Sequence, residues 1–358
     1  MASALVDKVR TIAVLRPSAV GDFVFSLPAL HALRHTYPAA RILYLGKQWH
    51  ADFLRGRPGP VDEVLVLPPC PGVGAPLDTD PAEARRFSAM LREGRLGGRL
   101  DIALQFYGGG RYSNPFILGL GARVSAGMKA SDAAPLDRWI SYGPLQNRRL
   151  QLLEAAALVG ADSVRLQREL ETTGHDRREA AAVVAPDPAR PLVLIHPAAS
   201  DPRRHWPAQR FAAVADRLAR AGATIAVNAT AAEAPIARAV IERMRHPALD
   251  LSGALSLSGL CGLLERCALV VSNDSGPLHL ALALGVRCVG IYWLHNLYES
   301  GPLTQDRHRA ALSIRVHCPV CGAENLRSRC EHNASFVDDV REEEVEALAM
   351  ELFDARRR

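Results

Sequence analysis

The chain is 358 residues long, 23% charged and 48% hydrophobic, which suits two folded domains of about 150–200 residues and excludes a disordered chain. Its net charge of +5 comes from the first half: residues 1–172 hold 21 Lys and Arg against 16 Asp and Glu, while residues 173–358 hold 22 against 22. No apolar run reaches the roughly 20 residues of a membrane span, Met1 to Thr11 lacks the apolar core of a signal peptide, and no basic cluster interleaved with aromatics points to nucleic acid.

A cytoplasmic protein is therefore expected. Its seven cysteines, an odd number, should be reduced. The basic half fits an anionic acceptor or an acidic membrane surface. It equally fits plain Arg-rich solvated faces, since only Lys8, Lys47 and Lys129 are lysines.

Short β-branched runs alternate with helix-length amphipathic segments. Strands are expected at Thr11–Leu15, Arg41–Leu45, Val61–Leu67, Asp101–Gln105 and Arg123–Ala126, with helices at Pro28–His35 and Leu150–Val159. Pro68–Asp80, rich in Pro and Gly, reads as a loop. The pattern breaks over Gly160–Arg190, where Pro186, Pro188 and Pro191 mark an interdomain linker. It resumes with strands at Leu192–His196, Ala223–Ala229, Ala268–Ser272 and Cys288–Tyr292. Helices follow at Ala208–Ala221, Ala232–Arg245 and Leu257–Cys267, and a Glu-rich one ends the chain at Val340–Phe353. Alternation of this kind builds parallel sheets covered by helices on both faces. Two such sheets make an α/β protein with three parts: residues 1–175, residues 176–339 and a terminal helix over 340–358. Ligands are expected at the carboxyl ends of the strands.

Three strand-to-helix loops carry the chemistry. The first is Arg16-Pro17-Ser18-Ala19-Val20-Gly21-Asp22-Phe23, where Asp22 lies at a strand's carboxyl end. It can accept a proton from an attacking hydroxyl, or simply cap the helix that follows. The second runs from His196 to Pro207. Ser200 and Arg204 can hold a diphosphate there through a hydroxyl and a fixed charge, against the plainer reading of a solvated loop. The third is Ser272-Asn273-Asp274-Ser275-Gly276-Pro277-Leu278-His279. Its helix start offers free N–H groups and a positive dipole end to phosphate oxygens. Asp274 can orient His279 or bond sugar hydroxyls, where each alone would read as a cap or a core histidine.

Together these motifs resemble glycosyltransferase family 9, the ADP-heptose:lipopolysaccharide heptosyltransferase family, over nearly the whole chain. The family's R-x-x-x-x-G-D start with P-A-L behind it stands here as Arg16, Gly21-Asp22 and Pro28-Ala29-Leu30. Its H-P loop ending in a basic residue, W and P stands as His196-Pro197 to Arg204-His205-Trp206-Pro207. Its S-N-D-[ST]-G-P-x-H-x-A-x-A-x-G is complete from Ser272 to Gly285. The resemblance implies a GT-B fold, two Rossmann-like domains whose parallel sheets face a central cleft. The first domain would take the acceptor and the second the nucleotide sugar. It implies an inverting transferase that needs no cofactor for catalysis and moves a sugar, a heptose first of all, from an ADP-sugar to a cell-envelope saccharide such as lipopolysaccharide inner core, with peripheral contact at the inner membrane.

By the same resemblance Asp22 maps to the general base and Arg204 to the residue neutralising the leaving diphosphate. Ser200, Asp274, Ser275, Gly276 and His279 map to donor binding, and Glu233 to the ribose. Ala199 replaces a hydroxyl, Arg204 a lysine, and Ser275 stands where Thr is common in the family. Transfer to a protein or small natural product is the alternative, a nucleotide-sugar epimerase another, and a non-catalytic GT-B binding module a fourth reading. The acceptor loop Gln105 to Tyr112 names no acceptor.

Cys318-Pro319-Val320-Cys321-Gly322, with Cys330 behind it, resembles a zinc knuckle. His332 or His317 is the candidate fourth ligand of a structural zinc or iron site. Reduced cysteines packed in a loop are the alternative.

Overall fold

The computed structural model describes residues 5–94, 99–143, 145–187 and 189–355. Pro188 of the expected linker, the leading residues Met1 to Ala4 and the last three residues of the expected terminal segment lie outside them. The chain divides into two compact units, Met1–Arg165 and Leu166–Arg358.

The first unit holds a six-stranded parallel sheet of β1 (Thr11–Leu15), β2 (Arg41–Gly46), β3 (Glu63–Val66), β4 (Ile102–Gln105), β5 (Val124–Lys129) and β6 (Arg138–Ser141), in the order β3-β2-β1-β4-β5-β6, besides a small two-stranded one. Its helices are α1 (Val20–Thr36), α2 (Gln48–Leu54), α3 (Ala82–Arg92), α4 (Ser113–Gly119) and α5 (Arg148–Ala157). The second unit repeats the order as β9-β8-β7-β10-β11-β12, with β7 (Leu192–His196), β8 (Thr224–Val227), β9 (Ala248–Asp250), β10 (Cys267–Asn273), β11 (Cys288–Trp293) and β12 (His308–Ser313). Its helices are α6 (Gly174–Val183), α7 (Ala208–Arg220), α8 (Ala234–Ile241), α9 (Leu257–Leu264), α10 (Gly276–Ala283), α11 (Leu294–Ser300) and α12 (Glu342–Asp354).

The central strands are buried on both faces, which is why they are continuous apolar runs: every residue of β1 and β7 is buried. In each sheet the order reverses between two neighbouring middle strands, β1 and β4 in one, β7 and β10 in the other. Loops from the carboxyl ends of those pairs diverge there and leave room for a ligand. All three motif loops leave these middle strands.

Three expectations need correction. Helix α1 starts at Val20, not Pro28, and runs through the proline. Phe23 to Leu30 are all buried, so no apolar-polar period marks the helix, and Asp22 lies in its first turn. The Gly160–Arg190 stretch contains helix α6. Its start is fixed by a capping box in which Thr173 N–H donates to Asp176 Oδ2 at 2.9 Å and Asp176 N–H to Thr173 Oγ1 at 3.1 Å. Strands outside the expected set are β6, β9 and β12, and the stretch Pro68–Asp80 read as a loop holds a short pair of strands, Cys70–Pro71 and Gly74–Ala75. β6 and β9 lie at sheet edges and carry exposed or polar residues in place of an apolar run.

Helix α12 buries Val345, Ala349, Leu352 and Phe353 in the core of the second unit, beside Phe211 and Val271. Among the described residues no helix is long and apolar enough to cross a membrane.

Candidate active site

At the first switch point Arg16 leaves β1 and turns back beneath its own loop. Its side chain is 6% exposed. Nε donates to the Asp22 carbonyl at 2.7 Å, Nη2 to Asp22 Oδ1 at 3.1 Å, and Nη1 to the Phe106 carbonyl beyond β4. Burial pulls the guanidinium below its ordinary value, while the Asp22 charge pulls it back up. The Asp22 side chain is 45% exposed. A buried cation thus holds a carboxylate that still faces solvent. That carboxylate lines a pocket of about 200 Å³ with Ser18, Tyr107, Tyr142 and Arg148. Ser18 Oγ is buried and has no hydrogen-bond partner among the described residues.

At the second switch point the loops after β7 and β10 are clamped by Asn273. Its Nδ2 donates to the Pro197 carbonyl at 2.6 Å, and its Oδ1 accepts from Trp206 N–H at 3.2 Å. Trp206 is buried and donates its indole N–H to the Val340 carbonyl at 2.9 Å. The Asn of one motif and the Trp of another are therefore one fastening.

The clamp brings Arg204 to Asp274, with Nη1 3.2 Å from Oδ2. The other carboxylate oxygen of Asp274 accepts from His279 Nε2 at 2.9 Å and from Ser300 Oγ at 3.1 Å. The Asp274 side chain is 2% exposed and that of Arg204 is 29% exposed. Burial raises the Asp274 carboxyl, but the His279 hydrogen bond and charge and the Arg204 charge outweigh it and hold the group below its usual range. Ser275 is the extended residue before α10 and makes no side-chain cap, so the first N–H groups of the helix are not taken up by it.

Arg204, Asp274 and His279 therefore touch, with Ser275 and Gly276 at the same helix start. Ser200 stands exposed in the loop after β7 and joins no part of this network. Glu233 spends Oε2 on the Thr230 N–H and hydroxyl, at 3.1 and 2.7 Å. Its charge still reaches His196, a buried ring that meets the Asn228 carbonyl at 2.9 Å. Burial drives His196 down to about 4 against the opposing pull of Glu233 and that carbonyl. Sequence reasoning missed Ser300, Ser18, Tyr142 and Arg148. Ser18 stands inside the first motif but was given no role there; Tyr142, Arg148 and Ser300 come from segments with no motif, and only the fold brings them to their sites.

The cysteine cluster is also assembled. One ligand atom each from Cys318, Cys321, Cys330 and His332 lie within 4.8 Å of one another. The chain reverses at Gly322, whose φ of 71° suits glycine, and Gly322 N–H closes the turn onto the Cys318 carbonyl at 2.9 Å. Of the two candidate histidines the fold selects His332, whose Nδ1 is buried without a partner among the described residues. Asn325 and the His332 backbone hydrogen-bond to Cys330 and pull its thiol down to about 6. Three sulfurs, one of them with its thiol pulled down, and one imidazole fit a metal ion.

Two parallel sheets of this strand order, each with polar residues at its switch point, define a two-domain α/β enzyme of the GT-B type. A model of the family described as glycosyltransferase family 9 (heptosyltransferase) matches residues 112–325. The chain belongs to glycosyltransferase family 9. It is 25% identical over 294 residues to lipopolysaccharide heptosyltransferase 2 of Salmonella typhimurium strain LT2, covering 78% of this chain and 82% of that protein. Among solved structures, a family 9 glycosyltransferase from Veillonella parvula superposes with a TM-score of 0.79 at 20% identity, covering 99% of this chain and 100% of that one. The iron-containing dodecameric heptosyltransferase TibC of enterotoxigenic E. coli, in complex with ADP-D-beta-D-heptose, superposes with a TM-score of 0.54 at 13% identity, covering 98% of this chain and 78% of that one. At these identities the structural likenesses establish the fold.

Proposed function

We propose that the chain transfers a heptose from ADP-heptose to a hydroxyl of a cell-envelope saccharide such as lipopolysaccharide inner core. The observation that carries this reading is the Arg204–Asp274–His279 network at the start of α10. A partly exposed guanidinium braced by a buried carboxylate, beside open helix N–H groups, is equipment for a diphosphate that gains charge as it leaves. The names of relatives such as lipopolysaccharide heptosyltransferase 2 support the heptose and the envelope saccharide.

In this reading the reaction is one in-line displacement that inverts the anomeric carbon. Asp22 takes the acceptor's proton as the hydroxyl oxygen bonds to that carbon. The bond to the diphosphate oxygen breaks, and ADP departs with the electron pair beside Arg204. Ser275, Gly276 and His279 hold the donor's phosphates, Ser200 adds a hydroxyl contact, and Glu233 takes the ribose. No cofactor enters the chemistry. Zinc, or iron as in TibC, would be held by Cys318, Cys321, Cys330 and His332, where it would pin the irregular segment before α12. The enzyme would work in the cytoplasm, in peripheral contact with the inner membrane, a location that suits the basic excess of residues 1–172.

The test is incubation with ADP-heptose and a heptose-free inner-core saccharide, followed by mass spectrometry of the acceptor. A gain of one heptose with release of ADP is expected. Transfer only to a protein or small-molecule acceptor would move the substrate class, and sugar released without any acceptor would point to epimerase-type chemistry.

A further inference from the structure

Between Ser313 and Glu342 the described chain forms no helix or strand, only an isolated bridge of His317 with Glu324. The cysteine cluster stands in this stretch, so side-chain bonding must hold its shape. Asn325 makes much of that bonding, and it is only 5% exposed. Its Nδ2 donates to the Ala323 carbonyl at 3.0 Å and to Cys330 Sγ at 3.4 Å, and its Oδ1 accepts from Cys330 N–H at 3.4 Å. An amide bonded to a ligand sulfur in this way fixes that ligand from behind.

Asn325 also faces the second motif loop. Its Oδ1 accepts from Arg203 Nη1 at 3.0 Å. The rest of that guanidinium grips Asp201: Nε lies 3.1 and 3.0 Å from the two carboxylate oxygens, and Nη2 2.6 Å from Oδ2. It also lies over the Trp293 ring, 5.3 Å from its centre. The Arg203 and Asp201 side chains are 11% and 15% exposed. Arg203 is therefore a strut between two loops, and its fork suits it to bond both at once. Asp201 Oδ1 accepts from Arg203 N–H at 3.1 Å and opens a single helical turn, Pro202–Arg204. Arg204 ends that turn, and its Nη1 meets Asp274.

We infer that Arg203 is a positioning residue for Arg204, and that metal held by the Cys-rich segment sets its position through Asn325. Metal on the three cysteines and His332 fixes Cys330. Cys330 fixes Asn325, Asn325 fixes Arg203, and the turn beyond Arg203 places Arg204 against Asp274. A segment without regular structure is ordered by its metal. Metal and ADP then favour the same arrangement, and each strengthens binding of the other. The inference rests on the donor and metal readings above. Two further bonds run beside the strut: Phe336 N–H donates to the Arg203 carbonyl at 2.7 Å and Ser335 Oγ to the His205 carbonyl at 2.8 Å. They supply the competing account, in which the segment acts without Arg203.

The test is isothermal titration calorimetry of ADP against the full chain, zinc-loaded and stripped by a chelator, in wild type and Arg203→Lys. Lysine keeps a charge for Asp201 but has no fork to reach Asn325 as well. Zinc should tighten ADP binding by wild type roughly five- to twentyfold, within the range of site-to-site coupling. In Arg203→Lys the loaded and stripped forms should agree within about twofold, the strut that couples them being gone. Asn325→Ala cuts the strut at its other end and carries the same comparison should Arg203→Lys not fold. A residue that only supports the fold would weaken ADP binding in both forms and leave their ratio as in wild type, and that result overturns the inference. So does equal ADP affinity of loaded and stripped wild type. A wild type that takes up no zinc overturns it at the metal site and leaves the donor reading intact. One that holds zinc but binds no ADP overturns the donor reading, and the inference with it.

Discussion

The two switch points are built from the same materials in opposite ways. In the first unit the arginine is buried and the carboxylate exposed: Arg16 at 6% and Asp22 at 45%. In the second the carboxylate is buried and the arginine exposed: Asp274 at 2% and Arg204 at 29%. In each pair the hidden member positions the offered one, since an ion pair with one partner out of water is stiffer and less screened than a surface pair. The first unit thus presents a negative group and the second a positive one. That contrast is what a transferase needs if one side takes a proton and the other receives a departing anion.

The largest expected effect falls on the offered carboxylate. Asp22→Asn keeps the shape and a bond to Arg16 but removes the base. Turnover should fall by about 10²–10⁴-fold, the range for a lost general base, with affinity for ADP-heptose nearly unchanged in titration calorimetry. Activity equal to wild type would leave Asp22, which lies in the first turn and not at the cap, as no more than the ion-pair partner of Arg16.

A second test asks whether the two units share a liability apart from the chemistry. Each holds a buried histidine neutral: burial, first of all, takes His50 down to about 3 and His196 to about 4. Both folded values lie below the ordinary 6.5. Between them the unfolded chain binds protons that the folded chain refuses, so stability is full above pH 6.5 and is lost as pH falls toward 4. From pH 6.5 to 5 each ring should cost about 2 kcal/mol, at about 1.4 kcal/mol per unit. Urea unfolding at pH 7 and pH 5 measures this, and equal midpoints would show that the rings are not held neutral.

The exposed arginine comes next. Arg204→Ala should weaken ADP binding by about 10–100-fold, the worth of charge-assisted hydrogen bonds. Arg204→Lys, which restores a point charge without the fork, should recover part of it. Unchanged ADP affinity in the alanine variant would break the comparison, because the second unit would then not be offering its cation.

The middle of each sheet was legible and the periphery was not. β1 and β7 are read residue for residue because burial on both faces leaves no choice but continuous apolar side chains. β6 needs no such run: at a sheet edge it alternates half-buried and exposed residues, and Trp139 is 45% exposed. The same division holds at the site. Arg204, Asp274 and His279 stand in strand–turn–helix segments whose grammar declares them, His279 one turn inside α10. Ser300 comes from α11, a short helix without a motif, and reaches the site only because β11 is parallel to β10. Cysteine spacing left His317 and His332 equal, and only the fold, which brings His332 to the three sulfurs, decides between them.

The stretch read as a linker supplies the smallest test. Its prolines are real, but Asp176, buried completely, ties α6 into the second unit. Helix α6 passes so close to α9 that a Cβ on Gly262 would stand 2.1 Å from the Asp176 carbonyl oxygen and a Cβ on Gly259 2.4 Å from the Glu179 carboxylate. The Glu179 carboxylate is the end of a side chain and can swing away. The Asp176 carbonyl is backbone and cannot move without the helix. Gly262→Ala should therefore destabilise the second unit by about 1–3 kcal/mol, the cost of overpacking a tight contact, and Gly259→Ala by less. Thermal melts read the difference. Because the α6–α9 contact holds the frame and not the ion pairs, ADP affinity should stay within twofold in both variants. A fall in ADP affinity matching the fall in stability would mean that the Arg204–Asp274 geometry is set by helix packing behind the sheet, and that the second switch point, unlike the first, is not self-braced.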